Sequence, residues 1–107
     1  MPDAALRVLL CTAPEAEAPA LARTLLEARL IGCANLLPKA RSLYWWEGAI
    51  QDDAEVLMVM ETPADKAPAA MEALAAAHPY EVPKILCLPV EAVNAPYRAW
   101  LEAACSS

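Results

Sequence analysis

One local pattern is spelled twice in this chain, and that repetition constrains its fold more than any other feature. Arg7-Val8-Leu9-Leu10-Cys11 is a short apolar run followed by Thr12-Ala13-Pro14-Glu15. Glu55-Val56-Leu57-Met58-Val59-Met60-Glu61 is likewise followed by Thr62-Pro63-Ala64-Asp65. Each pairs a strand with a helix-start signal. The threonine can accept from the first free amides, the proline fits the first turn, and the acid suits the positive helix end. After the first signal Leu21, Leu25 and Ala28 recur at helical spacing, with Ala22, Leu26 and Leu30 beside them. After the second, Ala67, Ala70, Met71, Leu74 and Ala77 do the same. Gly32 is expected to end the first helix and His78-Pro79 the second.

The remaining segments complete two units. Cys33 to Trp46 reads as a long extended stretch, broken or bulged at Pro38, because proline cannot donate to a ladder. Glu47 to Asp53, with Gly48 and two aspartates, reads as a hairpin turn. Lys84 to Leu88 is a fourth strand, and Asn94 is placed to cap a short final helix holding Tyr97, Trp100 and Leu101. The order β-α-β, β-α-β, helix predicts an α+β, ferredoxin-like split β-α-β sandwich. Right-handed crossovers then give a four-stranded antiparallel sheet in the order 4-1-3-2, with an extended hairpin and a C-terminal helix. A length of 107 residues suits a single domain, expected over 1–107.

An isolated sheet with helices on one face should alternate apolar and polar along its strands. These strands do not. The first, third and fourth are apolar on both faces, so the face without helices should also be covered, and self-association is the simplest cover. The alternative is that the long second strand and the terminal helix fold back over it.

Hydrophobic residues make up 59% of the chain, enough for a core and against intrinsic disorder. The uninterrupted apolar runs fall far short of the roughly 20 residues of a membrane span. No basic-then-apolar leader opens the chain, so a cytoplasmic location is expected. A net charge of −6 would repel a phosphate backbone on average and argues against nucleic-acid binding.

The four cysteines, 11, 33, 87 and 105, include no C-x-x-C, which excludes a zinc ribbon and a thioredoxin-type site. Without a secretory leader they are expected as free thiols. Cys33 is expected at the far edge of the sheet, Cys87 in the core and Cys105 in a mobile tail. The topology carries Cys11, closing the first strand, and His78, closing the second helix, to one edge of the sheet. Thiolate and imidazole suit copper, zinc or mercury. Two ligands do not close a site, so Tyr80, Glu81 or another subunit would have to complete it. On the residues alone the plainer alternative is favoured: a small buried cysteine and a histidine that suits the helix dipole.

Catalytic templates fail. No G-x-S-x-G elbow precedes a helix, no orienting acid follows a Cys11–His78 pair, and two glycines leave no phosphate-cradling loop. Glu47, Asp52, Asp53 and Glu55 read as a solvated hairpin tip. Tyr44-Trp45-Trp46, with Tyr80, Tyr97 and Trp100, reads as core or subunit contact before it reads as a ligand platform.

Taken together, these residues resemble a known family. Val8 to Pro14, Gly32-Cys33-Ala34-Asn35-Leu36-Leu37-Pro38 and Ser42-Leu43-Tyr44-Trp45-Trp46-Glu47-Gly48 look like successive motifs of the CutA divalent-cation tolerance proteins. His78-Pro79-Tyr80-Glu81-Val82-Pro83 is similar to the family's H-P-Y-x-x-P signature, and Tyr97 with Trp100 to its closing Y-x-x-W. The resemblance runs from about residue 7 to 102. It implies a non-enzymatic homotrimer whose hairpin arms pair with neighbouring subunits, with copper, Cu(I) or Cu(II), held at Cys11 and His78. A likeness of the trimer to PII signalling proteins implies a second role, regulation through a small ligand or a protein partner. Two departures stand out. Ala77 precedes His78 where some relatives carry a second histidine, and Glu61 precedes Thr62 where a lysine is common.

Overall fold

The computed structural model describes residues 5–106. The expected domain bounds, residues 1 and 107, lie outside the described residues. The elements are β1 (Leu6–Ala13), α1 (Ala18–Glu27), β2 (Cys33–Trp46), β3 (Ala49–Pro63), α2 (Ala67–Ala77), β4 (Ile85–Pro89) and α3 (Ala95–Ala104), with a single 3₁₀ turn at Ala64–Lys66 leading into α2. The strands form one antiparallel sheet in the order β2-β3-β1-β4, which is the expected 4-1-3-2 read from the other edge.

The pairing register divides the sheet into two faces, because alternate residues of a strand share a face. Leu9, Cys11 and Ala13 of β1 lie opposite Met60, Met58 and Val56 of β3. These six are buried, packed with Leu21, Ala22 and Leu25 of α1 and Ala70 and Leu74 of α2. Full burial of each large side chain here contributes roughly 1.5–3 kcal/mol. On the other face Leu10 sits between Val59 and Leu86, and Val8 between Glu61 and Leu88. Leu86, Leu88 and Leu37 are exposed there. The expected doubly apolar strands are therefore present, and α3 covers one end of this second face, where the Tyr97 hydroxyl donates to Glu61 Oε1 at 2.7 Å.

Several local expectations are corrected. Thr12 and Thr62 do not cap helices. Both stay in their strands, because β1 and β3 pair without interruption from Leu6 opposite Pro63 to Ala13 opposite Val56. Helix α1 starts later, from Glu17, with the Pro14 carbonyl accepting from the Glu17 and Ala18 amides. Helix α2 starts from Lys66 after the 3₁₀ turn, and the Thr62 hydroxyl instead donates to the Leu30 carbonyl at 2.6 Å. Asn94 does precede α3, but its side chain makes no cap hydrogen bond.

Gly32 does not end α1. The left-handed residue after that helix is Arg29, at φ 60°, and Leu30 donates to the Leu25 carbonyl behind it. Gly32 is small for another reason: a Cβ there would lie 2.3 Å from Leu101 Cδ1, so α3 seats directly on the glycine.

The hairpin is tighter than expected. Only Glu47 and Gly48 turn, both with positive φ (51° and 78°), the geometry of a two-residue hairpin loop. Residues 49–53 belong to β3, and the resulting arm is long. It is bulged where Pro38 predicts: the register shifts between Leu37 and Ala40, with Lys39 at φ 62°.

All four cysteines are free thiols, and two lie where the sequence did not place them. Cys87 is exposed on the edge strand β4. Cys105 is buried against the end of β3, because α3 runs on to Ala104 and closes over it. Glu55, expected at a solvated tip, is also buried.

Candidate functional site at the β1–α2 corner

Cys11, near the end of β1, faces the helices and has no solvent exposure. Burial, and secondarily the negative charge of Glu55, push its thiol up to about 11, with Lys84 acting weakly in the other direction. The thiol is therefore protonated at neutral pH, and its Sγ lies 3.5 Å from the Thr12 carbonyl oxygen.

His78 reaches the same oxygen. Helix α2 ends at Ala77 because Pro79 forces the preceding residue out of helical geometry, and His78 takes an extended conformation with ψ 139°. Its ring turns back onto β1, where Nε2 lies 2.9 Å from the Thr12 carbonyl oxygen. On the opposite side of the ring the Tyr80 amide donates to Nδ1 at 3.1 Å. A carbonyl can only accept and an amide N–H can only donate. These two bonds therefore fix His78 as the neutral imidazole with its proton on Nε2.

The corner thus brings together the two residues singled out from the sequence, through one shared carbonyl. Their donor chemistry fits a soft ion. Their number does not make a closed site: among the described residues no group of three or more His, Cys, Asp or Glu side chains could hold a metal. Tyr80 and Glu81 do not complete a coordination shell with them. The Tyr80 hydroxyl turns away to donate to Glu55 Oε2 at 2.6 Å, and Glu81 is exposed.

Beside the corner opens a cleft of about 780 Å³, running from Thr12 along the base of the arm to the α2–β4 loop. Tyr44 and Trp46 of β2 share one face of the arm with Asp53 and Glu55 of β3, and Tyr80 closes the cleft from the loop. The Tyr44 hydroxyl donates to Asp53 Oδ2. Burial and the bond to Glu55 raise the Tyr80 phenol well above its ordinary range, so it stays a donor at neutral pH. Sequence reasoning placed Glu55 in solvent because it stands among acids near a turn. The available signal was its position directly before an apolar strand, with Tyr80 following His-Pro.

Known proteins share this fold. Residues 7–104 match the CutA1 divalent ion tolerance protein family. The divalent-cation tolerance protein CutA of Pectobacterium atrosepticum is 45% identical over 97 residues, 90% of this chain and 88% of that protein. The crystal structure of divalent ion tolerance protein CutA1 from Ehrlichia chaffeensis superposes with a TM-score of 0.93 at 28% identity, covering 96% of this chain and 97% of the other. A CutA structure from Archaeoglobus fulgidus, whose name calls it periplasmic, superposes at 0.90 with 30% identity, over 94% and 99% of the two chains. No described helix is long and apolar enough to cross a membrane. With the sequence and the fold both matching over nearly the full length, this chain belongs to the CutA1 divalent ion tolerance protein family.

Proposed function

We propose that this chain acts in divalent-cation tolerance as a non-enzymatic cytoplasmic homotrimer that takes copper as cargo where Cys11 and His78 meet. The observation that carries the copper reading is the convergence of a thiol and an imidazole on the Thr12 carbonyl. Copper would compete there with the Cys11 proton and with a hydrogen bond of the His78 ring, so binding is weak to moderate and favours soft over hard ions. With Ala77 in place of a second histidine, further ligands would come from outside this pair. Support for the trimer comes from the uncovered apolar sheet face and from the arm, where Leu43, Trp45 and Ile50 are 62%, 70% and 62% exposed in the single chain.

Equilibrium dialysis of the purified protein against Cu(I), Cu(II), Mg²⁺ and Ca²⁺, in parallel with light scattering, tests both halves. Retention of copper by a particle of three 11.5 kDa chains supports the proposal. A monomer, or equal retention of all four ions, contradicts it. A second reading, a PII-like regulatory trimer, is favoured by the cleft, which is large enough for a small metabolite. A metabolite that raises the melting temperature while copper does not would favour it.

A further inference from the structure

The cleft carries a charge pattern that the copper corner does not use. Asp53 and Glu55 lie two residues apart on β3 and so project from the same face into the cleft. Neither has a cation within ion-pair distance among the described residues. The nearby guanidinium of Arg41 is engaged elsewhere, donating to Asp52 through Nε at 2.9 Å and Nη2 at 2.7 Å. The partners of Asp53 and Glu55 are instead phenols: Tyr44 donates to the first and Tyr80 to the second.

Glu55 is the more telling of the two. It is 6% exposed, and its Oε2 accepts from Tyr80. Its Oε1 has no hydrogen bond among the described residues, yet no buried side-chain oxygen there lacks a partner. That oxygen therefore opens into the cleft, where the rings of Tyr44, Trp46 and Tyr80 also stand. Carboxylates set among aromatic faces favour a bulky, weakly hydrated positive charge, which gains both Coulomb attraction and the ring quadrupole. The donor set is too sparse for a metal, and an anion would meet the two acids. We infer that the cleft binds an organic cation, an alkylated ammonium group, between Glu55, Asp53 and the rings of Tyr44 and Tyr80. This names a ligand class for the cleft in the regulatory reading and is independent of copper at Cys11 and His78.

Arg41 and Lys84 are the opposing charges that line the same cleft. Arg41 is held by Asp52, while Lys84 has no ion pair among the described residues, so Lys84 weakens binding of a simple cation.

The test is a titration of the intact protein with choline, followed by tryptophan fluorescence at constant ionic strength. The control is choline's uncharged isostere with carbon in place of the quaternary nitrogen. Saturable quenching by choline and none by the isostere is expected. Glu55→Gln keeps an acceptor for Tyr80 and should weaken binding about tenfold, Asp53→Asn several-fold, while Lys84→Gln should tighten it. Asp53 is exposed, so its variant tests the inference even where Glu55→Gln folds poorly. Absence of choline binding, equal binding of the isostere, or unchanged affinity in Asp53→Asn would overturn the inference. Stabilisation by an anionic or neutral metabolite without choline binding would also overturn it, while leaving the regulatory reading in place.

Discussion

His78 Nε2 lies 2.9 Å from the Thr12 carbonyl oxygen, a bond across 66 residues of chain that ties the end of α2 to the end of β1. Both partners are buried, and the Tyr80 amide on Nδ1 leaves the ring no freedom to flip. Removing the ring strands a buried acceptor. His78→Ala is therefore expected to destabilise the fold by roughly 1–3 kcal/mol, read from urea midpoints, independently of any metal. A midpoint equal to wild type would show that water replaces the ring without loss.

Alkaline pH should weaken the protein through Cys11. The thiol ordinarily titrates near 9.0 and is pushed up to about 11 in the fold, so above pH 9 the unfolded chain loses its proton first. Deprotonation then favours unfolding, and stability falls between pH 9 and 11 by roughly 2–3 kcal/mol at this group. The phenols of Tyr80 and Tyr97 are raised as well, both mainly by burial and then by bonds to Glu55 and Glu61, and extend the decline to higher pH. Urea unfolding at pH 7, 9 and 10.5 checks this, with a shallower decline expected in Cys11→Ser. A flat profile across that range would contradict the burial of the thiol.

Gly32 and Leu101 should behave as one unit. A methyl group at residue 32 would meet Leu101 Cδ1 at 2.3 Å, and Leu101 is fully buried. Gly32→Ala should cost about 1–3 kcal/mol by overpacking. In a Leu101→Ala background the same change should cost much less, a coupling that a double-mutant cycle reads directly. Additive losses would place the strain elsewhere.

What the sequence made legible was long-range, and what it hid was local. Strand order and the meeting of Cys11 with His78 followed from two repeated units and the handedness of their crossovers. The threonines misled because a capping signal is read over four residues, while Thr12 and Thr62 are held by pairing along the whole of β1 and β3. Gly32 resembled a helix stop, yet its requirement comes from a helix about seventy residues further on. The burial of Glu55 depends on Tyr80, which the topology delivers from the opposite side of the cleft. Such contacts have no sequence period.

Trp46 lies on the arm just before the Glu47–Gly48 turn and is 42% exposed in the single chain. If the arm packs against neighbouring subunits, Trp46→Ala removes a buried ring, a change of roughly 3–5 kcal/mol. Light scattering should then show dissociation or precipitation. A variant trimer as stable as wild type would place Trp46 outside the interface.

Copper calorimetry on four proteins tests the central claim most directly: wild type, Cys11→Ser, His78→Ala and Ala77→His. The account predicts weak to moderate binding by wild type, which falls as pH drops and protons compete for the ligands. It predicts clear weakening in Cys11→Ser and His78→Ala, and tighter binding when Ala77→His supplies a second imidazole. Four identical isotherms would contradict it, and copper would not be bound at this corner.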